Sequence, residues 1–241
     1  MALSTTLLKE NTSIENEKEI RSSYVISNGK NISRLEKLGE KITLPKNDTI
    51  IQAQQKTCYC YIVKKGRVFS CEVLRNGEER ILHMYEKNTI FLETNLIFDR
   101  KTEVEYRTAI PTELIRIHRD VLRKTIKLDS SILLELYETL TLKNETTTKQ
   151  MRIEKNYNAV WNMCELFLNL ADNYGKPVGR YILIHEKFSQ QTIADMVGIN
   201  RITAVRIIKQ LKNQGVLEQK NQFYMIDREG ILKYQESQEM N

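Results

Sequence analysis

The chain has 241 residues, with 41% hydrophobic and 28% charged content, which is enough for one or two ordinary globular domains with a sizeable core. No apolar run approaches the roughly 18 residues that a membrane helix needs. The net charge of +6 suits a polyanion partner. The first 30 residues are polar and carry Glu15, Glu17 and Glu19, unlike a secretory signal. The four cysteines lack a framework spacing, which fits a reducing compartment. A cytoplasmic protein without a membrane partner is expected.

Residues 1 to about 30 show no firm period and are expected to form a mobile arm with a short helix. From Lys41 to His118 the chain reads as short strands with turn signals. Thr49-Ile50-Ile51, Cys58 to Val63, Arg67 to Leu74 and Arg80 to Tyr85 are such runs, followed by Glu103 to Ile110 and Leu114 to His118. Lys64-Lys65-Gly66 joins two of them. Asn76-Gly77 has the chemistry of a type I′ hairpin turn, which needs φ > 0 at both positions. Even spacing of this kind predicts a sandwich or small barrel.

Asp129 or Ser130 caps a long helix with an apolar seam at 3/4 spacing: Ile132, Leu133, Leu136, Tyr137 and Leu140. Beyond Leu140 the seam fades into Lys143, Asn144 and Thr146-Thr147-Thr148, returning at Met151. The helix either lies flat on the barrel or dimerises, and a strict exposed seam favours a partner helix. The residues expected to dimerise are Ile132, Leu133, Leu136 and Leu140. Asn158 to Tyr174 is a further helix, ended by Gly175 and Pro177, and Tyr181 to Ile184 is a short strand.

Phe188 to Leu211 splits into two helical patterns around Gly198. Ser189 caps the first, and Ile193, Ala194 and Val197 form its stripe. Asn200 caps the second, whose inward face is Ala204, Ile207, Ile208 and Leu211. The 3.6-residue period puts Ile202, Arg206, Lys209 and Asn213 on the outer face. This is a helix-turn-helix, with a helical hairpin of another fold as the bland alternative. The strand pair after it, Val216 to Gln219 and Gln222 to Ile226 about a Lys220-Asn221 turn, reads as the wing of a winged helix. From Asn158 onward ten Lys/Arg stand against nine Asp/Glu, yet Arg201, Arg206, Lys209 and Lys212 are opposed within Ser189–Lys212 only by Asp195. Basic charge is thus focused on the second helix. The expected DNA-contacting set is Ser189, Gln190, Gln191, Asn200, Arg201, Ile202, Thr203, Val205, Arg206 and Lys209.

Taken together, the chain resembles the Crp/Fnr superfamily of bacterial transcription regulators. The resemblance is most specific at Gln191 to Gly198, Val205 to Leu211 and Tyr61 to Val68. It implies an α+β fold: a cyclic-nucleotide-binding-like β-roll (jelly roll) over 1–128, a dimerisation helix over 129–157 and a winged helix-turn-helix over 158–241. It also implies a homodimer on double-stranded DNA, expected to be an activator that engages RNA polymerase. Members that bind cyclic AMP carry Gly-Glu and then Arg-Ser pairs, where this chain has Leu92-Glu93 and Glu103-Val104. A carboxylate at the phosphate-binding position repels an anion, so cyclic AMP is not expected. Many members place Glu at the position of Ile202; an Ile packs instead on a thymine methyl, so an A·T-rich half-site is expected, with at most one guanine read by Arg206.

No cofactor is expected; constitutive activity and a small-molecule or redox signal are all compatible with the sequence. Cys58 and Cys60 share one strand face, with Cys71 expected on a neighbouring strand. Three converging thiols would suit a metal or redox event, although small buried hydrophobes are the commoner use. His83 is the only barrel candidate for a haem ligand. A cupin-like metal enzyme needs several converging His, and the three here, His83, His118 and His185, lie on separate segments. A protein-interaction module is the other alternative, against which the focused basic charge argues.

Overall fold

The computed structural model describes residues 24–26, 32–74 and 77–238. The expected N-terminal arm lies outside these residues except for 24–26, and so does Asn76 of the Asn76-Gly77 turn. Two sheets face each other. One has the order β1 (Val25–Ile26), β6 (Glu79–Tyr85), β5 (Val68–Val73), β8 (Glu105–Thr108), β3 (Thr49–Ile51). The other runs β2 (Glu40–Leu44), β9 (Thr112–His118), β4 (Tyr59–Lys65), β7 (Ile90–Phe91). Every pairing is antiparallel except the parallel β1–β6 pair. Between the sheets lie Val63, Val68, Tyr85, Phe91, Tyr106 and Leu114. The Phe91 ring stacks on Tyr61 at 5.4 Å and on Tyr106 at 5.2 Å, so aromatic side chains fill the roll.

A second core covers the outer side of the β4 sheet. It joins Cys60, Ile62 and Ile117 to Leu96 of α2 (Glu93–Phe98), Leu122 of α3 (Arg119–Leu128), and Ile132 and Leu136 of the long helix α4 (Ser131–Asn156). Asp129 caps α4: its Oδ1 accepts from the Ser131 backbone N–H at 3.0 Å, while Ser130 makes no side-chain cap bond. The predicted seam therefore divides. Ile132 and Leu136 are buried within the subunit, whereas Leu133, Leu134, Tyr137, Leu140 and Met151 are exposed. The 3/4 repeat serves two faces because α4 lies along its own barrel and keeps a second stripe outward.

After α4, Asn158 caps α5 (Ala159–Tyr174) by accepting from the backbone N–H groups of Val160 and Trp161. A hairpin of β10 (Gly175–Val178) and β11 (Tyr181–Ile184) leads to α6 (Gln190–Val197) and α7 (Arg201–Asn213). Then come β12 (Leu217–Lys220), β13 (Phe223–Ile226) and α8 (Arg228–Ser237). The third core joins Phe167 and Leu170 of α5 to Ile193, Ile207, Leu211, Tyr224 and Ile231. It continues without a break onto Phe69, Cys71, Ile81 and Met84 of the barrel.

The wing differs by one residue from its sequence reading. Lys220 pairs with Phe223, so the turn is Asn221-Gln222, with φ of 49° and 69°. Two left-handed residues make a two-residue primed turn, and the pairing of the strands fixes its place better than the identity of its residues.

Candidate nucleic-acid interface

The helix-turn-helix is built from local chemistry at three points. Ser189 Oγ accepts from the Thr192 backbone N–H at 3.0 Å and starts α6. Gly198 takes φ of 74°, the left-handed conformation that ends α6 and that glycine adopts without strain. Asn200 Oδ1 accepts from the Thr203 backbone N–H at 2.8 Å and starts α7. Ala204, Ile207, Ile208 and Leu211 are buried, and Ile202, Arg206, Lys209 and Asn213 are exposed.

Ile202 is 84% exposed, an apolar side chain with no fold-internal use. Arg206 lies one turn on along the same face, with Val205 beside it and Arg201 and Lys209 toward the two ends. Thr203 is half-buried. Gln190 and Gln191 open α6, and Gln191 Nε2 donates to Asp195 Oδ1 at 2.6 Å. Burial raises the Asp195 carboxyl pKa above its ordinary value, with the Gln191 bond acting the other way. Lys212 Nζ donates to Gln219 Oε1 at 2.9 Å, tying α7 to the wing, and Gln210 Nε2 donates to the Tyr234 hydroxyl at 2.6 Å, tying it to α8. Arg201, Ile202, Arg206 and Lys209 thus share an exposed, mainly basic surface on a helix tied to the wing and to α8. Ser189 and Asn200 are occupied as caps, so what they can offer a phosphate is the open helix N-termini beside them.

The long helix carries a polar set that sequence reasoning did not assign. Lys143 Nζ lies 2.5 Å from Glu93 Oε1, and both side chains are nearly buried. His83 Nε2 lies 2.9 Å from Thr147 Oγ1, and Gln150 Nε2 donates to the Leu82 carbonyl at 2.5 Å. The Thr147 hydroxyl donates to the Lys143 carbonyl, so the His83 Nε2–H is the donor in its pair. Burial, with Lys143 adding to it, pushes the His83 pKa down to about 4. Three polar ties along α4 hold its second half to the barrel, where the apolar seam gives out.

The thiols do not converge. Cys60 sits in the β4 sheet, Cys71 in the β5 sheet, in different cores, and Cys58 is exposed ahead of β4. Cys71 does not lie on a neighbouring strand because β5 crosses to the opposite sheet after the Gly66 turn, while Cys60 and Cys71 are the small buried hydrophobes of the commoner reading. Burial pushes the Cys60 and Cys71 pKa values up to about 12, which leaves both thiols inert. No group of three His, Cys, Asp or Glu among the described residues could hold a metal ion. Glu93 is held by Lys143, and Glu103 lies at the surface, accepting from Gln54 Nε2 at 2.8 Å.

A filled β-roll, a long helix with one outward apolar stripe and a winged helix with an exposed basic face define a DNA-binding transcription regulator. Comparison with known proteins agrees: the cyclic nucleotide-binding domain family matches residues 41–129, and the Crp-like helix-turn-helix domain family matches residues 163–234. The cAMP-activated global transcriptional regulator CRP of Pasteurella multocida is 27% identical over 177 residues, 72% of this chain and 83% of that protein. The global nitrogen regulator of Nostoc sp. is 22% identical over 177 residues, 73% of this chain and 79% of its own. Among solved structures, the c-di-GMP responsive global regulator CLP of Xanthomonas campestris superposes with a TM-score of 0.72 at 19% identity, covering 81% of this chain and 97% of that one. The chain belongs to the Crp/Fnr superfamily of transcription regulators, and its relatives are regulators rather than enzymes. No helix among the described residues is long and apolar enough to cross a membrane.

Proposed function

We propose that the protein is a cytoplasmic homodimer that reads an A·T-rich inverted repeat and activates transcription without responding to cyclic AMP. The observation that carries the DNA reading is Ile202, exposed at the start of α7 with Arg206 one turn beyond it. An aliphatic side chain on a groove-facing surface has the thymine methyl as its natural partner, and an Arg beside it suits a guanine edge. Dimerisation uses the outward stripe of α4, with Leu133, Tyr137 and Leu140 at its centre. Ile132 and Leu136 support it from the barrel side.

The relatives include a cAMP-activated regulator, but three features of this chain speak against that ligand. Glu103 stands where a phosphate-binding Arg belongs, Lys143 occupies Glu93, and aromatic rings fill the roll. As an activator the dimer would engage RNA polymerase, and it is either constitutive or answers a small molecule or redox event other than cyclic AMP. Genome-wide footprinting of the purified protein tests the reading. It predicts enriched A·T-rich inverted repeats upstream of transcription units, unchanged by added cyclic AMP. Enrichment without a common repeat, or only with cyclic AMP, would overturn it.

A further inference from the structure

A buried cation that bridges barrel and winged helix is built into the turn after β4. Gly66 takes φ of 98°, and a Cβ there would meet Thr112 and Pro111 at under 3 Å. That tight turn aims Arg67 at the winged helix, with its side chain 4% exposed. Arg67 Nε donates to Glu86 Oε1 of the barrel at 2.5 Å, and a terminal guanidinium nitrogen lies 3.6 Å from Glu186 Oε2 of the winged helix. The guanidinium carbon stands 4.9 Å from the Tyr174 ring centre and 5.0 Å from that of Phe188. The Tyr174 hydroxyl donates to the same Glu86 oxygen at 2.5 Å. One cation is therefore shared by a barrel carboxylate, a winged-helix carboxylate and two winged-helix rings.

The location of this cluster gives it a role. Glu186 and Phe188 immediately precede Ser189, the cap of α6, and Tyr174 ends α5. The other end of α6 also lies against the barrel: a Cβ on Gly198 would stand 3.6 Å from the Arg80 side chain of β6. Both ends of α6 thus lie against the barrel, and α7 follows after a short turn. Planar stacking and forked hydrogen bonding fix an angle as a point charge does not.

We propose that Arg67 is a positioning residue that holds the winged helix at one angle on the barrel and so sets the half-site spacing the dimer accepts. This rests on the reading of the protein as a dimer on an inverted repeat. In such a dimer the two reading helices are related only through the barrels and long helices. A fixed angle makes one spacing bind best, and a loosened one lets several spacings bind alike.

The test uses the full-length protein, wild type and the variants Arg67→Met, Arg67→Lys and Glu186→Gln. Glu186→Gln removes the carboxylate contact to the winged helix and leaves the Arg67–Glu86 pair and the stacking on Tyr174 and Phe188 in place, so it remains informative if Arg67→Met fails to fold. Affinity is measured for a single half-site and for inverted repeats whose spacing is stepped by one base pair. Wild type is expected to favour one spacing by at least about five-fold, within the usual range of interdomain coupling. Glu186→Gln and folded Arg67→Met flatten that preference to within about two-fold while single half-site affinity holds, and Arg67→Lys recovers only part of the preference. Folded variants that keep the wild-type spacing profile would overturn the proposal, as would a wild type that binds repeats without preference. Amide exchange over residues 185–189 is followed in the same proteins without DNA. Faster exchange in Glu186→Gln is expected, and unchanged exchange would count against the clamp even if the protein bound no DNA, an outcome that would sink the functional reading instead.

Discussion

Lys143 Nζ lies 2.5 Å from Glu93 Oε1, so the long helix meets the barrel through a buried ion pair at the point where its apolar seam gives out. Such a pair adds little over a hydrophobic replacement, but removing one partner leaves a charge stranded. Glu93 is the more exposed to that risk, because its Oε2 has no hydrogen-bond partner among the described residues. Lys143→Met should cost about 3–5 kcal/mol in urea unfolding, and adding Glu93→Gln should recover part of that. A loss below about 1 kcal/mol in the single variant would mean that the carboxylate reaches solvent.

His83 predicts an acid sensitivity of known sign. Its folded pKa, about 4, lies below the ordinary 6.5, so between these values the unfolded chain binds the extra proton. Stability supplied by the neutral ring is complete above pH 6.5 and is lost as pH falls toward 4. The loss from pH 7 to pH 5 should be about 2 kcal/mol from this residue alone. His83→Asn should unfold more easily at pH 7 but show a shallower decline, and identical slopes for the two proteins would remove His83 from the account.

The two stripes of α4 give opposite responses to charge. Leu133→Glu with Leu140→Glu should yield a folded monomer in sedimentation, with barrel stability within about 1 kcal/mol of wild type. Leu136→Glu should instead unfold the barrel, because Leu136 is buried under it. If the exposed double variant remains a dimer, the partner helix docks elsewhere.

Much of this architecture was legible because its signals are local. Ser189, Gly198 and Asn200 punctuate two helices whose inward residues recur at the helical period, and each performs the expected cap or turn. Several elements without a clear sequence signal have little burial: α3 buries only Leu122, α8 only Ile231 and Gln235, and β10 is an edge strand containing Pro177, whereas β1 and β7 are buried but short, and α2 is short as well. The division of the α4 seam was also hidden. A 3/4 repeat states that a helix has apolar faces, not which neighbour each one meets. Lys143, Thr147 and Gln150 have the pattern of a fading seam because their partners, Glu93, His83 and the Leu82 carbonyl, come from strands and a helix about fifty residues or more earlier. Arg67 was similarly silent, since its partners lie nearly twenty residues away and beyond.

Charge and sequence reading should separate by residue on α7. Arg206→Ala should cost about 1–3 kcal/mol on the preferred site and less elsewhere, the pattern of a bidentate base contact. Arg201→Ala and Lys209→Ala should weaken all sequences alike and lower the salt slope by about one unit for each phosphate left without its cation. Fluorescence anisotropy across a salt series checks both. A uniform weakening for Arg206→Ala would move it to the phosphate class.

The central claim is that Ile202 faces the bases, and selection from a randomised DNA pool tests it most directly. Wild type should return an A·T-rich inverted repeat with half-sites centred about one helical turn, ~34 Å, apart. Ile202→Ala should lose the preference for thymine at one position of each half-site while keeping the wild-type salt slope. Ile202→Glu should shift that same position toward cytosine, whose N4 amino group donates to a carboxylate. The same preferred half-site from all three proteins would contradict the account, because the exposed face of α7 would then not be the face that reads DNA.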